Sequence, residues 1–300
     1  MTANTADAAA DTGADTGFTA ADAGTTAAAT GTAAATAAGA HAAWRAEREE
    51  LLRAPHGWLS LTALHWLDDG PGTVGSLPGT WRIADADTVE ITAAASDGVV
   101  LPGAGQPLDG TAQVRPVDGA PGAMVTVGER VVEIARRTDG YALRVRDPQA
   151  ITRTAFDGVP TWDFDPDAVV TGRFTAYAEP RRITVDAVVE GLQHFPTAVG
   201  EVEFEHGGAT RRLVALAGKD GGLSLHFRDA TSGRETYGGG RILTAADPGA
   251  DGAVILDLNR TVNLPCAFTA HATCPLPPAG NTLDVAIEAG ERTPPRPDLS

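Results

Sequence analysis

Both cysteines of the chain, two asparagines, an arginine and an aspartate fall within the eighteen residues from Asp257 to Cys274. Pro265 lies within this run, and Pro275, Pro277 and Pro278 follow it directly. Proline fixes φ and removes a backbone donor, so the segment reads as a rigid, extended crossing. Cys266 is a candidate nucleophile. Arg260, six positions earlier, could stabilise its thiolate, and His271, His194 or His226 could supply a base. The competing reading makes Cys266 and Cys274 small buried apolar side chains. Cys266-x4-His271-x2-Cys274 offers three metal ligands, but a structural zinc site takes four and this spacing matches no standard finger or ribbon. No metal is expected.

A polar set surrounds this run: Asp229, Tyr237, Arg241, Asp257, Asn259, Arg260 and Asn263. On adjacent strands, Arg241 and Arg260 could hold a small anionic ligand bidentately while Asn259, Asn263 and Tyr237 orient it and Asp257 acts as a base. Asp257 and Cys266 are thus the candidate catalytic residues. The same residues could equally form a buried ion-pair and amide network that pins the crossing to its sheet. Solvent access separates the two: a site needs the arginines to face a cavity, whereas a staple needs them fully paired and dry. Other signals carry less. Gly238-Gly239-Gly240 is not followed by the Lys-Ser or Lys-Thr of a phosphate loop, and there is no Gly-x-Ser-x-Gly elbow. The alternating Asp163, Asp165 and Asp167 lack the glycine and closing glutamate of a calcium loop.

The elements that must position these residues are mainly strands. Residues 1–40 are nearly all Ala, Thr, Gly and Asp, a composition that predicts a disordered tail. Trp44, Arg48, Leu51 and Leu52 share helical spacing, which predicts one short amphipathic helix over 41–56. Between 57 and 150, strands are expected at 81–83, 88–91, 110–114, 123–127, 130–134 and 141–145, with hairpin turns at Gly128-Glu129 and Asp139-Gly140. That density suggests a β-sandwich. A second series runs from 151 to 292, with strands at 169–177, 182–189, 197–204, 210–216, 223–228, 234–243, 254–258 and 283–288. It fits an antiparallel barrel or open sandwich able to hold one small ligand in its mouth. Residues 293–300 form a closing tail.

Composition narrows the partners. The chain has 300 residues, 35 glycines, 20 prolines and a net charge of −16. With no basic stripe, a nucleic-acid partner is not expected. No apolar run approaches the roughly 20 residues that span a bilayer, and no basic residue precedes Arg45, so neither membrane insertion nor a signal peptide is expected. A cytoplasmic location, with both cysteines as thiols, is the expectation. Oligomeric state stays open.

Four separated motifs in order carry a family resemblance. They are Gly57-Trp58-Leu59-Ser60-Leu61 with Trp66-Leu67; Phe164-Asp165-Pro166 with Arg173-Phe174; Phe227 to Gly233 with Thr236-Tyr237-Gly238 and Gly240-Arg241; and Asn259-Arg260 to Pro278. Together they resemble the bacterial and archaeal domain-of-unknown-function family 1684, over roughly Trp44 to Glu291. The chain departs from that pattern at Asp163, Ala168, Leu264 and His271, where relatives usually carry Pro, Trp, Pro and Tyr. The resemblance implies no activity, substrate or cofactor. Its first half looks like a forkhead-associated sandwich, with Gly72-Thr73-Val74-Gly75 at a turn, but the arginine that reads phosphothreonine there is missing. The reading is therefore a mostly β protein, with a forkhead-associated-like sandwich packed on a C-terminal antiparallel barrel or open sandwich. It binds a small anionic ligand or acts as a hydrolase-like enzyme in the second half. The alternative is a non-enzymatic structural or protein-interaction module.

Overall fold

The computed structural model describes residues 30–68, 70, 72–117, 122–137 and 140–295. Most of the expected tail, Asp139 of the second predicted turn and residues 296–300 lie outside the described residues. Helix α1 spans Thr30–Arg53, beginning well before the periodic residues. Its buried side is His41, Trp44, Arg48 and Leu52, at spacings of three, four and four. Leu51, predicted on that side, is exposed instead, because the stripe follows Leu52.

Eight strands follow: β1 (Leu61–Trp66), β2 (Thr80–Asp85), β3 (Thr88–Ala93), β4 (Val99–Val100), β5 (Gly110–Val114), β6 (Ala123–Val127), β7 (Arg130–Arg137) and β8 (Gly140–Arg146). They make an antiparallel sheet β1-β8-β7-β6-β4 and a second sheet β2-β3-β5. Alternation turns Trp81, Val89 and Ile91 of one sheet toward Val132, Ile134, Leu143 and Val145 of the other, forming one core. The result is two antiparallel sheets packed on one core. The opposite side of β7 and β8 carries Glu133, Arg144 and Arg146, all buried.

After a short helix α2 (Ile151–Thr154), the second series gives β9 (Val169–Arg182), β10 (Val185–Asp186), β11 (Gln193–His194), β12 (Thr197–His206), β13 (Ala209–Ala217), β14 (Leu223–Phe227), β15 (Arg241–Ala245), β16 (Ala253–Asp257) and β17 (Val262–Asn263). Seven of them form one sheet in the order β16-β9-β12-β13-β14-β15-β17. It curls into a half-barrel that brings β16 against β15. On β12, Ala198, Val202 and Phe204 turn inward while Glu201, Glu203 and Glu205 turn outward. Val202 and Phe204 join Leu225, Phe227, Leu243 and Leu256 in the core. Among the described residues, no helix is long and apolar enough to cross a membrane.

Three predicted strands are corrected. Of 182–189, Arg182 ends β9 and only Val185–Asp186 form a strand, β10. Residues 234–240 do not ladder: Gly240 adopts φ +94 and closes a turn onto Tyr237, so β15 begins only at Arg241. Residues 283–288 alternate in burial like a strand, with Leu283 and Ile287 inward, yet pair with no strand over their length. Arg228 and Ala230 bond to the start of this segment, and the carbonyls that follow are taken by an arginine side chain.

Candidate functional site

That arginine is Arg241. It opens β15 opposite Phe227 on one side and Asn263 on the other. Its Nη2 donates to Asp229 Oδ2 at 2.7 Å and to the Ile287 carbonyl at 2.8 Å. Its Nη1 donates to the carbonyls of Ala289 at 2.6 Å and Glu291 at 3.0 Å. The Arg241 side chain is 1% exposed and that of Asp229 0%. Burial pushes the Arg241 pKa down, and the Asp229 carboxylate opposes it. Asp229 also accepts from the Thr231 amide and hydroxyl.

A second cation completes this network. Arg48 of α1 donates from Nε to Glu291 Oε1 and from Nη2 to the Asn263 carbonyl, both at 3.0 Å. Glu291 Oε2 accepts the Asn263 amide at 2.6 Å, and Asn263 Nδ2 donates to the Arg292 carbonyl. Two buried arginines thus face two buried carboxylates, and the charges balance. The indole of Trp162 lies 5.3 Å from Arg241 Cζ and 5.4 Å from Arg292 Cζ. Of the predicted ligand residues, Arg241 and Asn263 are therefore paired inside the protein, away from solvent.

Asp257, Asn259 and Arg260 come together elsewhere, at the seam between α1 and the end of β16. Asp257 closes β16 and caps the 3-10 helix Leu258–Arg260 through an Oδ1 that accepts the Asn259 amide at 3.2 Å and Asn259 Nδ2 at 3.0 Å. Asn259 also exchanges two hydrogen bonds with the Asp165 backbone, at 2.9 and 2.8 Å. Asp257 Oδ2 is left for Arg260, whose Nε stands 3.1 Å away but out of line for a hydrogen bond. The guanidinium lies on the Trp44 ring at 5.4 Å, and its side chain is 30% exposed. It donates no hydrogen bond to any described residue, in contrast to the four made by Arg241.

His41 belongs to the same seam. Its ring packs 5.4 Å from Trp44 and 5.2 Å from Phe164, with Nδ1 buried and unpartnered. Burial lowers its pKa, Asp257 opposes that, and Arg45 and Arg260 add to it, so the imidazole is neutral at pH 7. The sequence reasoning passed over His41, although it extends the Trp44, Arg48, Leu52 spacing by one step. Glu291 carried no comparable signal.

Cys266 lies in an apolar cluster with Trp44, Ile242, Val262, Leu264 and Cys274. Reactive cysteines sit in electropositive, partly exposed surroundings, unlike this cluster. Tyr237 is half-buried and packs against the same cluster. His226 is buried and its pKa is lowered to about 3, whereas His194 Nε2 meets the Thr273 carbonyl. Among the described residues, no three or more His, Cys, Asp or Glu side chains are placed to hold a metal ion. A cleft of about 150 Å³ in the sandwich is lined by His65, Trp66, Asp68, Thr73 and Trp81, and none of the predicted site residues reaches it.

Residues 154–292 match the model of the family described as "Protein of unknown function (DUF1684)". The first of the four sequence motifs, Gly57 to Leu67, falls outside the matched residues. No curated protein matches the chain. Among solved structures, the chain is similar to the solution NMR structure of the uncharacterized protein from gene locus rrnAC0354 of Haloarcula marismortui. The two are 32% identical, over 47% of this chain and 79% of that one, with a TM-score of 0.40.

Proposed function

The chain belongs, through residues 154–292, to the DUF1684 family, and from that premise we propose that it binds a small carboxylate at Arg260, without covalent chemistry. One observation carries this reading: a half-open guanidinium that stacks on Trp44 and spends none of its hydrogen bonds on described residues. The planar fork of arginine suits a carboxylate bidentately. Asp257, fixed by Asn259, holds the guanidinium from one edge and leaves the other edge open to a ligand. In this reading Asp257 is a positioning residue and not a base.

A thermal-shift series with acetate, lactate, succinate, citrate and inorganic phosphate tests the proposal. A ligand at one hundred times its Kd adds about 2.7 kcal/mol of stability, which moves the melting midpoint visibly. Carboxylates are expected to raise the midpoint of the wild type and to lose that effect in Arg260→Ala. A flat series, or a shift that survives Arg260→Ala, would overturn it. The pairing of Arg241 and Asn263 away from solvent favours the second reading, a non-enzymatic interaction module, and a flat series would move the search to a protein partner.

A further inference from the structure

The crossing from Leu264 to Pro278 folds back on itself. Pro265–Ala267 form one turn of 3-10 helix, the Thr269 amide bonds to the Pro265 carbonyl, and the His271 amide bonds to Thr269 Oγ1. These turns return residue 274 to residue 266. The Cys266 amide then donates to Cys274 Sγ at 3.2 Å. Cys274 is held from behind: its carbonyl accepts the Val188 amide, the Thr273 carbonyl meets His194 Nε2 at 2.5 Å, and Thr273 Oγ1 accepts from Arg144 Nη2 at 2.9 Å. Both cysteines are buried. The Cys274 sulfur therefore sits against the Cys266 backbone, and the two side chains share one apolar cluster, so they act at a high effective concentration toward each other.

We propose that Cys266 and Cys274 are a thiol–disulfide modification site, converted to an intramolecular disulfide by low-molecular-weight disulfides. Cys274, whose sulfur faces the Cys266 backbone, is the attacking residue in this proposal. Cys274 gives up its proton and its sulfur attacks one sulfur of the oxidant, forming a mixed disulfide and expelling a thiolate. Cys266, after losing its own proton, attacks Cys274 Sγ and expels the second thiolate. The two protons end on the two released thiols. Overall, one disulfide is reduced and two cysteine thiols are oxidised. Entry of the oxidant takes place during local openings of the segment, in which Ala270 is exposed. The proposal does not depend on ligand binding at Arg260. It does bear on that site, since Trp44, under the Arg260 guanidinium, packs in the same cluster as both cysteines.

The test is oxidation of the folded full chain by oxidised glutathione at pH 8, followed by acid quench, unfolding, alkylation and peptide mass mapping. The expected result is a Cys266–Cys274 crosslink, seen as a loss of two hydrogens with neither cysteine alkylated. In Cys266→Ser, glutathione is expected to remain trapped on Cys274. Two free, alkylatable cysteines in the oxidised wild type would overturn the proposal, and so would glutathione left on either one or a crosslink between chains. If Cys266→Ser does not fold, the wild-type map alone decides.

Discussion

Replacing Arg241 by alanine removes four hydrogen bonds and leaves the fully buried Asp229 carboxylate without its cation. Breaking a buried pair in this way costs about 3–5 kcal/mol, so Arg241→Ala is expected to lower the urea midpoint by that equivalent. Arg260→Ala, at a half-exposed pair, is expected to cost less than about 1 kcal/mol. Equal losses would place Arg260 in the staple and remove it from any site. His226 sets a pH dependence. Burial, opposed by the Gly239 backbone and aided by Arg228, lowers its pKa to about 3, from an ordinary 6.5. Below 6.5 the unfolded chain takes up a proton that the folded protein refuses, so stability falls as pH drops from 6.5 toward 3. The slope is up to about 1.4 kcal/mol per pH unit. His41 adds a contribution of the same sign. In denaturation curves taken across that window, His226→Gln is expected to flatten the acid limb; an unchanged slope would assign the loss to other groups.

Helix α1 is tied to the half-barrel by a charged side chain as much as by its apolar stripe. Arg48 reaches both Glu291 and the Asn263 carbonyl, so one residue joins the helix, β17 and the closing segment. Arg48→Ala leaves Glu291 buried with only the Asn263 amide, and a loss of about 3–5 kcal/mol is expected. Arg48→Met, which keeps the stem, should recover little if charge pairing is the cause and most if packing is. The strands were legible because alternation and turn residues agree: β3, β5, β6 and β12 lie where Val, Ile and Thr alternate between Gly and Asp. The segment 283–288 shows why alternation alone misleads. Its side chains alternate because one side is buried, but its backbone is met by the Arg228 and Ala230 backbone and, from Ile287 on, by the Arg241 side chain, and sequence periodicity does not register such partners. The site was half legible for the same reason. Asp257, Asn259 and Arg260 are neighbours in the chain, so their cluster was visible. His41 and Phe164 join them only through the docking of α1.

At the scale of the whole molecule, the outer side of β8 in the sandwich reaches the segment that closes the half-barrel. There Glu133 accepts from Arg144 Nη1 at 3.2 Å and from Arg146 Nη2 at 2.8 Å, and Arg146 also covers the Trp58 ring. Arg144 Nη2 crosses to Thr273 Oγ1, next to the cysteine pair. One guanidinium therefore links the core-flanking sheet of the sandwich to the segment that closes the half-barrel. Thr273→Val keeps the shape and removes one acceptor of the buried guanidinium, at a cost of about 1–3 kcal/mol. If the contact couples the two parts, amide exchange in β7 and β8 and in β14 and β15 should accelerate by the same factor in the variant, because both report one global opening. Acceleration confined to residues 264–278 would show instead that the crossing opens by itself, and that each β layer is stable without the other.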